Sequence, residues 1–236
     1  MYRYETHLHT FPVSKCGKVS VREALEFYKK LDYDGVFITN HFIDGNINFI
    51  AEDTDSYDSN RYEKLIDFYF SDYEEGLLIG KEIGLRVFFG NEISYKGTDF
   101  LIYGLGKEWY LSHPEILEMK KSQVLPYYME HGALVIQAHP FREARYIDHI
   151  RLFPRCVHGV EIYNACRTDF ENEMARQYAE NYSLLPFAGS DNHVGEARPK
   201  LGGMESDTPI LDERDFVGRV LSGEMRIFKM NNPLLN

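Results

Sequence analysis

Apolar residues gather along this chain in short runs that alternate with segments of helical period. Runs rich in β-branched and aromatic residues fall at 4–9, 35–40, 86–93, 100–103, 133–139, 159–163 and 185–190. Most are near-continuously apolar, the pattern of strands covered on both faces. Between several of them apolar positions recur every three or four residues: Val21, Ala24, Leu25, Tyr28 and Leu31 behind a capping Ser20, and further stretches near 61–80, 114–131, 167–181 and 212–221. Strands alternating with helices predict parallel βα units, arranged as a barrel or a doubly wound sheet. The polar, turn-rich stretch from Asp44 to Asn60 reads as a loop on the active-site side rather than a linker.

Polar residues of metal-ligand type recur at the C-terminal ends of these runs. His7 and His9 end the first, His41 follows the second, Glu92 ends the third, His139 ends the fifth, and Asp191 and His193 follow the seventh. Strand ends on that face of a parallel α/β fold converge, so residues far apart in sequence are expected around one cleft. Alternation along an extended segment turns His7 and His9 to the same side while Leu8 faces the helices. Asp191 and His193 can do the same. Mixed nitrogen and oxygen donors suit Zn, Mn or Fe better than Mg or Ca. Any one of these histidines alone reads equally well as a buried ring bonded to backbone; together they predict a metal site. His113, His131, His149 and His158 fall in helices or loops and read as surface or capping residues.

Composition narrows the picture. The chain has 236 residues, 44% apolar, with 17 Tyr and 16 Phe, which is a folded composition with material for a full core. One domain over 1–236 is the expectation. The N-terminal MYRYETHLHTF lacks the basic and apolar stretches of a secretory signal, and no apolar run is long enough to span a bilayer, so a soluble cytoplasmic protein without a membrane partner is expected. Cys16, Cys156 and Cys166 are odd in number and unpaired in spacing, which argues against a disulfide framework. A net charge of −11 argues against long nucleic acid as partner, because no Lys/Arg-rich run offers a track for a phosphate backbone.

The segments ETHLHT at 5–10, ITNH at 38–41, GNEIS at 90–94, QAHP at 137–140, VEIYN at 160–164 and AGSDNH at 188–193 resemble, in order and over nearly the whole chain, the motifs of the PHP family, the polymerase and histidinol phosphatase superfamily. The resemblance implies a distorted seven-stranded (β/α) barrel, two or three divalent transition-metal ions (Zn, Mn or Fe) at its C-terminal face, and phosphoesterase activity. It implies that His7, His9, Glu92 and Asp191 hold one metal, that Glu92 bridges to a second held by His139, and that His41 and His193 hold a third. The chain departs from the pattern in three places. Asn40 stands where many members have Asp; Asp99 is the substitute ligand for a histidine found before the fourth strand; and Cys16 is the candidate ligand from the loop after His9, with a buried structural thiol as the other reading.

The reaction expected of such a site is hydrolysis of a small phosphomonoester such as histidinol phosphate or a nucleotide. The metals would activate a water and neutralise phosphoryl charge. Glu92, Asp191 and Arg142 are the candidate catalytic residues, and Arg142, Arg145, Arg167, Arg198 and Lys15 the candidate phosphate contacts. Other readings stay open: a nuclease acting on nucleic-acid ends, a metal-dependent hydrolase of non-phosphate bonds, or a non-catalytic metal-binding module.

Overall fold

The computed structural model describes residues 1–42, 47 and 59–235, with the side chains of residues 59 and 60 aside. The loop expected over 44–60 therefore lies outside the described residues, except for Ile47 and the first two positions of a helix.

The strands are β1 (Tyr2–Leu8), β2 (Gly35–Ile38), β3 (His41–Phe42), β4 (Arg86–Tyr95), β5 (Thr98–Tyr103), β6 (Leu134–Ala138), β7 (Gly159–Asn164), β8 (Leu185–Gly189), β9 (Lys200–Ser206) and β10 (Arg226–Asn231). The helices are α1 (Val21–Lys30), α2 (Ser59–Ile83), α3 (Lys107–Ser112), α4 (Lys121–Glu130), α5 (Asp169–Tyr182) and α6 (Glu213–Ser222). One sheet runs in the order β10-β9-β1-β2-β4-β5-β6-β7-β8, with β3 paired to β4 off that path. Its far end bends back on β1. Asn192 pairs with Leu8, and the Thr6 hydroxyl donates to the Ala188 carbonyl. The nearly closed ring is thus β1, β2, β4, β5, β6, β7 and β8, the same seven runs that the sequence pattern marks; β3, β9 and β10 are additional.

Two features depart from the simple βα alternation. β5 runs antiparallel to both β4 and β6, because Lys96 (φ 52°) and Gly97 (φ 81°) make a two-residue hairpin turn. The stretch near 114–131, read as one helix, divides: a 3₁₀ turn at Pro114–Leu117 precedes α4. Elsewhere local signals are followed closely. Ser20 caps α1 in a capping box with Glu23, and Thr168 does the same for α5 with Glu171.

Side-chain alternation sorts the core. Tyr4, Phe37, Phe88, Tyr103 and Phe187 pack together with Phe216 of α6 inside the ring. Val36 and Ile38 instead face out against α1 residues such as Val21 and Leu25. Leu8 packs with that outer set although it has the same parity as Tyr4. The register of β1 slips between Glu5 and Leu8, and this bulge inverts the alternation. His7 and His9 consequently point into the ring. Glu5 sits beneath them, fully buried, its Oε1 accepting the backbone N–H groups of Thr6, His7 and Ser190, which ties β1 to β8.

Candidate metal centre

Ligand-type side chains from six strand ends meet at one end of the ring. His7 Nε2 lies 3.2 Å from His9 Nε2, 3.3 Å from Glu92 Oε1 and 3.6 Å from Asp191 Oδ1. His9 Nε2 lies 3.2 Å from Glu92 Oε2 and 3.6 Å from Asp191 Oδ1. On one flank, His139 Nε2 is 3.4 Å from Glu92 Oε1 and 3.8 Å from Asp99 Oδ2. On the other, His41 Nδ1 is 3.0 Å from Glu92 Oε2, and the His9 ring lies 4.5 Å from that of His41 and 4.3 Å from that of His193. Among the described residues five overlapping groupings emerge, each with its donor atoms within 4.8 Å of one another: His7, His9 and Glu92; Glu92, Asp99 and His139; His7, His139 and Asp191; His9, Cys16, His41 and His193; and one that includes Cys166. Glu92 belongs to two of them.

This donor set fits cations. His7 and His9 aim ring nitrogens at each other and at two carboxylates, an arrangement that leaves lone pairs crowded on a common centre. His41 Nδ1, His139 Nδ1 and Glu92 Oε1 are buried and make no hydrogen bond, despite neighbours within 3.0–3.4 Å for His41 and Glu92. Orphaned buried polar atoms are costly unless something else satisfies them. Burying so many ionisable groups does not serve stability, since apolar replacements would usually hold a fold as well or better.

The electrostatics agree. Burial opposes ionisation of Glu92, yet the His41 and His7 rings outweigh it and hold the carboxylate well below its ordinary range. Asp191 is also held far down, against its burial, by His7, His193 and His139. Burial would depress His7, but Glu161, Asp191 and Glu92 raise it well above the usual imidazole value. Burial and the neighbouring His193 and His41 push His9 well down. Burial likewise works against the Cys16 thiolate, but His193 and His41 bring that thiol down to about 7, which makes it a competent ligand near neutral pH.

A cavity of about 620 Å³ opens on this face, lined among others by Cys16, His41, Asp99, Asp191 and His193. Of the cations expected from the sequence, Arg142 and Arg167 line it, and Lys96 joins them from the β4–β5 turn. Arg145, Arg198 and Lys15 are not among its lining residues. Arg145 is exposed and faces an adjoining pocket, which shares Arg142, Glu143 and Ala144 with the cavity and continues along Ile147 to Ile150. Lys15 is exposed beside the buried Ser14, and Arg198 follows the 3₁₀ turn at 195–197 toward Asn232. Arg142 is not a free cation either: Nη1 donates to Asp99 Oδ2 at 3.0 Å, and the guanidinium lies 5.5 Å from the Tyr146 ring.

Besides Asn40, four residues that the sequence pattern does not single out matter here: Asp72, Cys166, Lys96 and Glu161. Asn40, in the place of an aspartate, accepts from Thr10 N and Ser14 Oγ, and donates to Asp72 Oδ2 at 2.9 Å. The carboxylate under the His9 loop therefore comes from Asp72 of α2, a position that only the tertiary fold reveals. Cys166 forms a further grouping with Asp191 and His193. Its signal was position, two residues past the end of β7. Lys96 and Glu161 are the others; Glu161 falls within the VEIYN segment.

A family model described as PHP-associated matches residues 169–198, which span α5, β8 and the Asp191-Asn192-His193 turn. No curated protein matches the sequence significantly. Among solved structures, a two-domain protein from Bacteroides vulgatus containing a predicted PHP-like metal-dependent phosphoesterase is similar in fold, with TM-score 0.69 and 13% identity over 96% of this chain; the chain spans 64% of that protein. A candidate metal-dependent phosphoesterase from Bifidobacterium adolescentis gives TM-score 0.55 and 16% identity, covering 82% of this chain and 88% of its own. An amidohydrolase from Chromobacterium violaceum gives 0.53 and 11%, covering 95% and 97%. The PHP-associated match covers residues 169–198, and these solved structures share this chain's fold, in which a distorted seven-stranded ring carries the histidine and carboxylate motifs in the order marked along the sequence.

Proposed function

We propose that the protein is a metal-dependent phosphoesterase acting on small phosphomonoesters, with two or three divalent ions of the Zn, Mn or Fe type. The observation that carries this reading is the shared cavity: Asp99, Asp191, His41, His193 and Cys16 face the same 620 Å³ space as Arg142, Arg167 and Lys96. Cations that flank clustered ligands favour an anionic substrate, and phosphate suits the planar fork of arginine. His7, His9, Glu92 and Asp191 would hold one ion, Glu92, Asp99 and His139 a second, and Cys16, His41 and His193 a third. Divalent ions bound there supply Lewis acidity, which lowers the pKa of water and offsets negative charge on a phosphoryl group.

The chain's own groups have distinct tasks. Glu92, 1% exposed, links two ligand groupings and fixes their separation. Asp191 is held ionised, so it offers an acceptor oxygen rather than a proton. Asp99 and the Tyr146 ring orient the Arg142 guanidinium toward the cavity, which reduces the freedom lost when it grips a phosphate.

A second reading, hydrolysis of an amide or related bond, is favoured by the fold shared with the protein from Chromobacterium violaceum, which is called an amidohydrolase and holds a bound sulfate. The deciding assay is turnover of a panel of phosphorylated metabolites and of amides by protein reconstituted with Zn, Mn or Fe. Phosphate release with no amide cleavage is the expected result; the reverse would replace the phosphoesterase reading.

A further inference from the structure

Glu161 touches two of the ligand-bearing segments without joining the ligand groupings, and its contacts are unusually specific. We propose that Glu161 is the positioning residue of the centre: its carboxylate fixes His7 in the tautomer that turns Nε2 toward the ligand cluster, and the same group pins the backbone of His139. This rests on the reading of the cluster as a metal centre.

Glu161 is fully buried in the middle of β7. Its Oε1 lies 2.9 Å from His7 Nδ1, itself fully buried. A carboxylate there accepts Nδ1–H, so that the proton given up when a cation binds is the one on Nε2, the nitrogen that faces Glu92, Asp191 and His9. The other ligand rings lack a carboxylate partner from outside the ligand groupings. His9 Nδ1 faces the Ser14 hydroxyl at 3.4 Å, His139 Nδ1 has no hydrogen bond, and His193 Nδ1 faces the Asp191 carbonyl at 2.9 Å and the carboxylate of Asp191, a ligand itself, at 3.4 Å. His41 Nδ1 approaches a carboxylate, but that carboxylate is Glu92, a ligand itself.

The second oxygen is equally committed. Glu161 Oε2 accepts from the His139 backbone N–H at 3.1 Å and from Asn164 Nδ2 at 2.9 Å; the same amide reaches Asp191 Oδ2 at 3.3 Å. His139 and Asp191 both sit at positive φ, 25° and 51°, a backbone state that L-residues hold only when their surroundings enforce it. One carboxylate thus braces the tautomer of one ligand and the strained backbone of another, and reaches a third through Asn164. Its space is reserved by Gly189, where a Cβ would come 2.5 Å from His7 Cβ and 2.9 Å from Glu161 Oε1.

Glu161→Gln isolates the effect because it keeps the shape and removes one acceptor. Three N–H groups converge on the two carboxylate oxygens, and an amide must turn its NH₂ toward one side. Facing His7, it forces the proton onto Nε2; facing His139, it opposes a donor with a donor. The test uses the full chain, with Zn²⁺ titrated against a competing chelator, thermal melting, and long-range ¹H–¹⁵N correlation of the histidine rings. The expected results are an Nδ1–H tautomer at His7 in Zn²⁺-loaded wild type and a roughly 10- to 100-fold loss of Zn²⁺ affinity in Glu161→Gln. Glu161→Asp, which keeps the charge, should recover part of that loss. A folded Glu161→Gln protein with wild-type affinity and an unchanged His7 tautomer, even with a lower melting temperature, would reduce Glu161 to a structural residue and overturn the proposal. Should the variant not fold, the wild-type spectrum decides alone, since His7 ligating through Nδ1 is incompatible with it. Wild-type protein that takes up no Zn²⁺ defeats the metal-centre reading itself, a result distinct from Zn²⁺ uptake indifferent to Glu161.

Discussion

Among single residues Glu92 has the widest reach, because its two oxygens serve rings on both flanks of the cluster. His7 and His139 approach Oε1, while His9 and His41 approach Oε2. Glu92→Gln should therefore cost more bound metal than loss of any one histidine, and reduce turnover at least about 100-fold, equivalent to roughly 2.7 kcal/mol of barrier. Metal analysis and kcat measured on the same preparation test this; kcat within about tenfold of wild type would remove Glu92 from the chemistry. At this scale the sequence was most informative for groups that end strands. His7, His9, His41, Glu92, His139, Asp191 and His193 stand at positions that periodicity marks, and the structure brings them together with Asp99 and Cys16. Supporting carboxylates were opaque for a physical reason. Glu161, Glu5 and Asp72 lie within a strand or helix, and what distinguishes them from solvated surface charge is burial between elements remote in sequence.

At the scale of elements, the β4–β5 hairpin decides where the cavity wall lies. Gly97 has φ 81°, and a Cβ there would come 2.6 Å from Ile147 Cγ1. Gly97→Ala should cost about 1–2 kcal/mol for the left-handed backbone alone, lowering the melting temperature by roughly 2–8 °C in a chain this long. It should also raise KM, since Ile147 adjoins Tyr146 at the cavity; an unchanged melting temperature would show that the turn can relax. That hairpin was hidden in the sequence because runs at 86–93 and 100–103 left six residues between them, whereas the strands extend to Tyr95 and from Thr98. The bulge in β1 was hidden too, since alternation correctly paired His7 with His9 but gave no sign that Tyr4 faces the same side as they do.

A second test at this scale concerns the β6–β7 junction. The Val135 N–H donates to His158 Nδ1 at 3.1 Å, which requires an unprotonated nitrogen, and burial lowers the His158 pKa. A folded pKa below the unfolded one contributes stability that is present above about 6.5 and lost as pH falls through the folded value. Unfolding free energy should thus decline on acidification below about pH 6.5, and His158→Asn, which keeps an acceptor without titrating there, should flatten that part of the decline. Denaturant titrations of both proteins at several pH values between 7 and 5 decide it; parallel curves would exclude His158 as a source.

For the whole molecule, the proposed preference for small esters rests on charge: 37 acidic against 26 basic side chains work against a long polyanion, while Arg142, Arg167 and Lys96 line the cavity beside Asp99, Glu143 and Asp191. kcat/KM should favour phosphomonoesters over single- and double-stranded oligonucleotides at low and physiological salt alike. An oligonucleotide degraded faster than every small ester, by an activity that Glu92→Gln abolishes, would make this a nuclease. Among the described residues no helix is long and apolar enough to cross a membrane.

Closure of the ring is made by the centre itself, since His9 N donates to the Asn192 carbonyl and Asn192 N donates to that of His7. During translation, His7 and His9 emerge roughly 180 residues before Asp191 and His193. At about 5–20 residues per second, the early pair waits on the order of ten to forty seconds for its complement. A half-formed site on the ribosome offers any passing cation two imidazoles and no fixed geometry. On the proposed metal-centre reading, choice of ion would therefore fall to the folded ring, where residues 191–193 have joined 7–9 and the spacing set by Glu92 is in place.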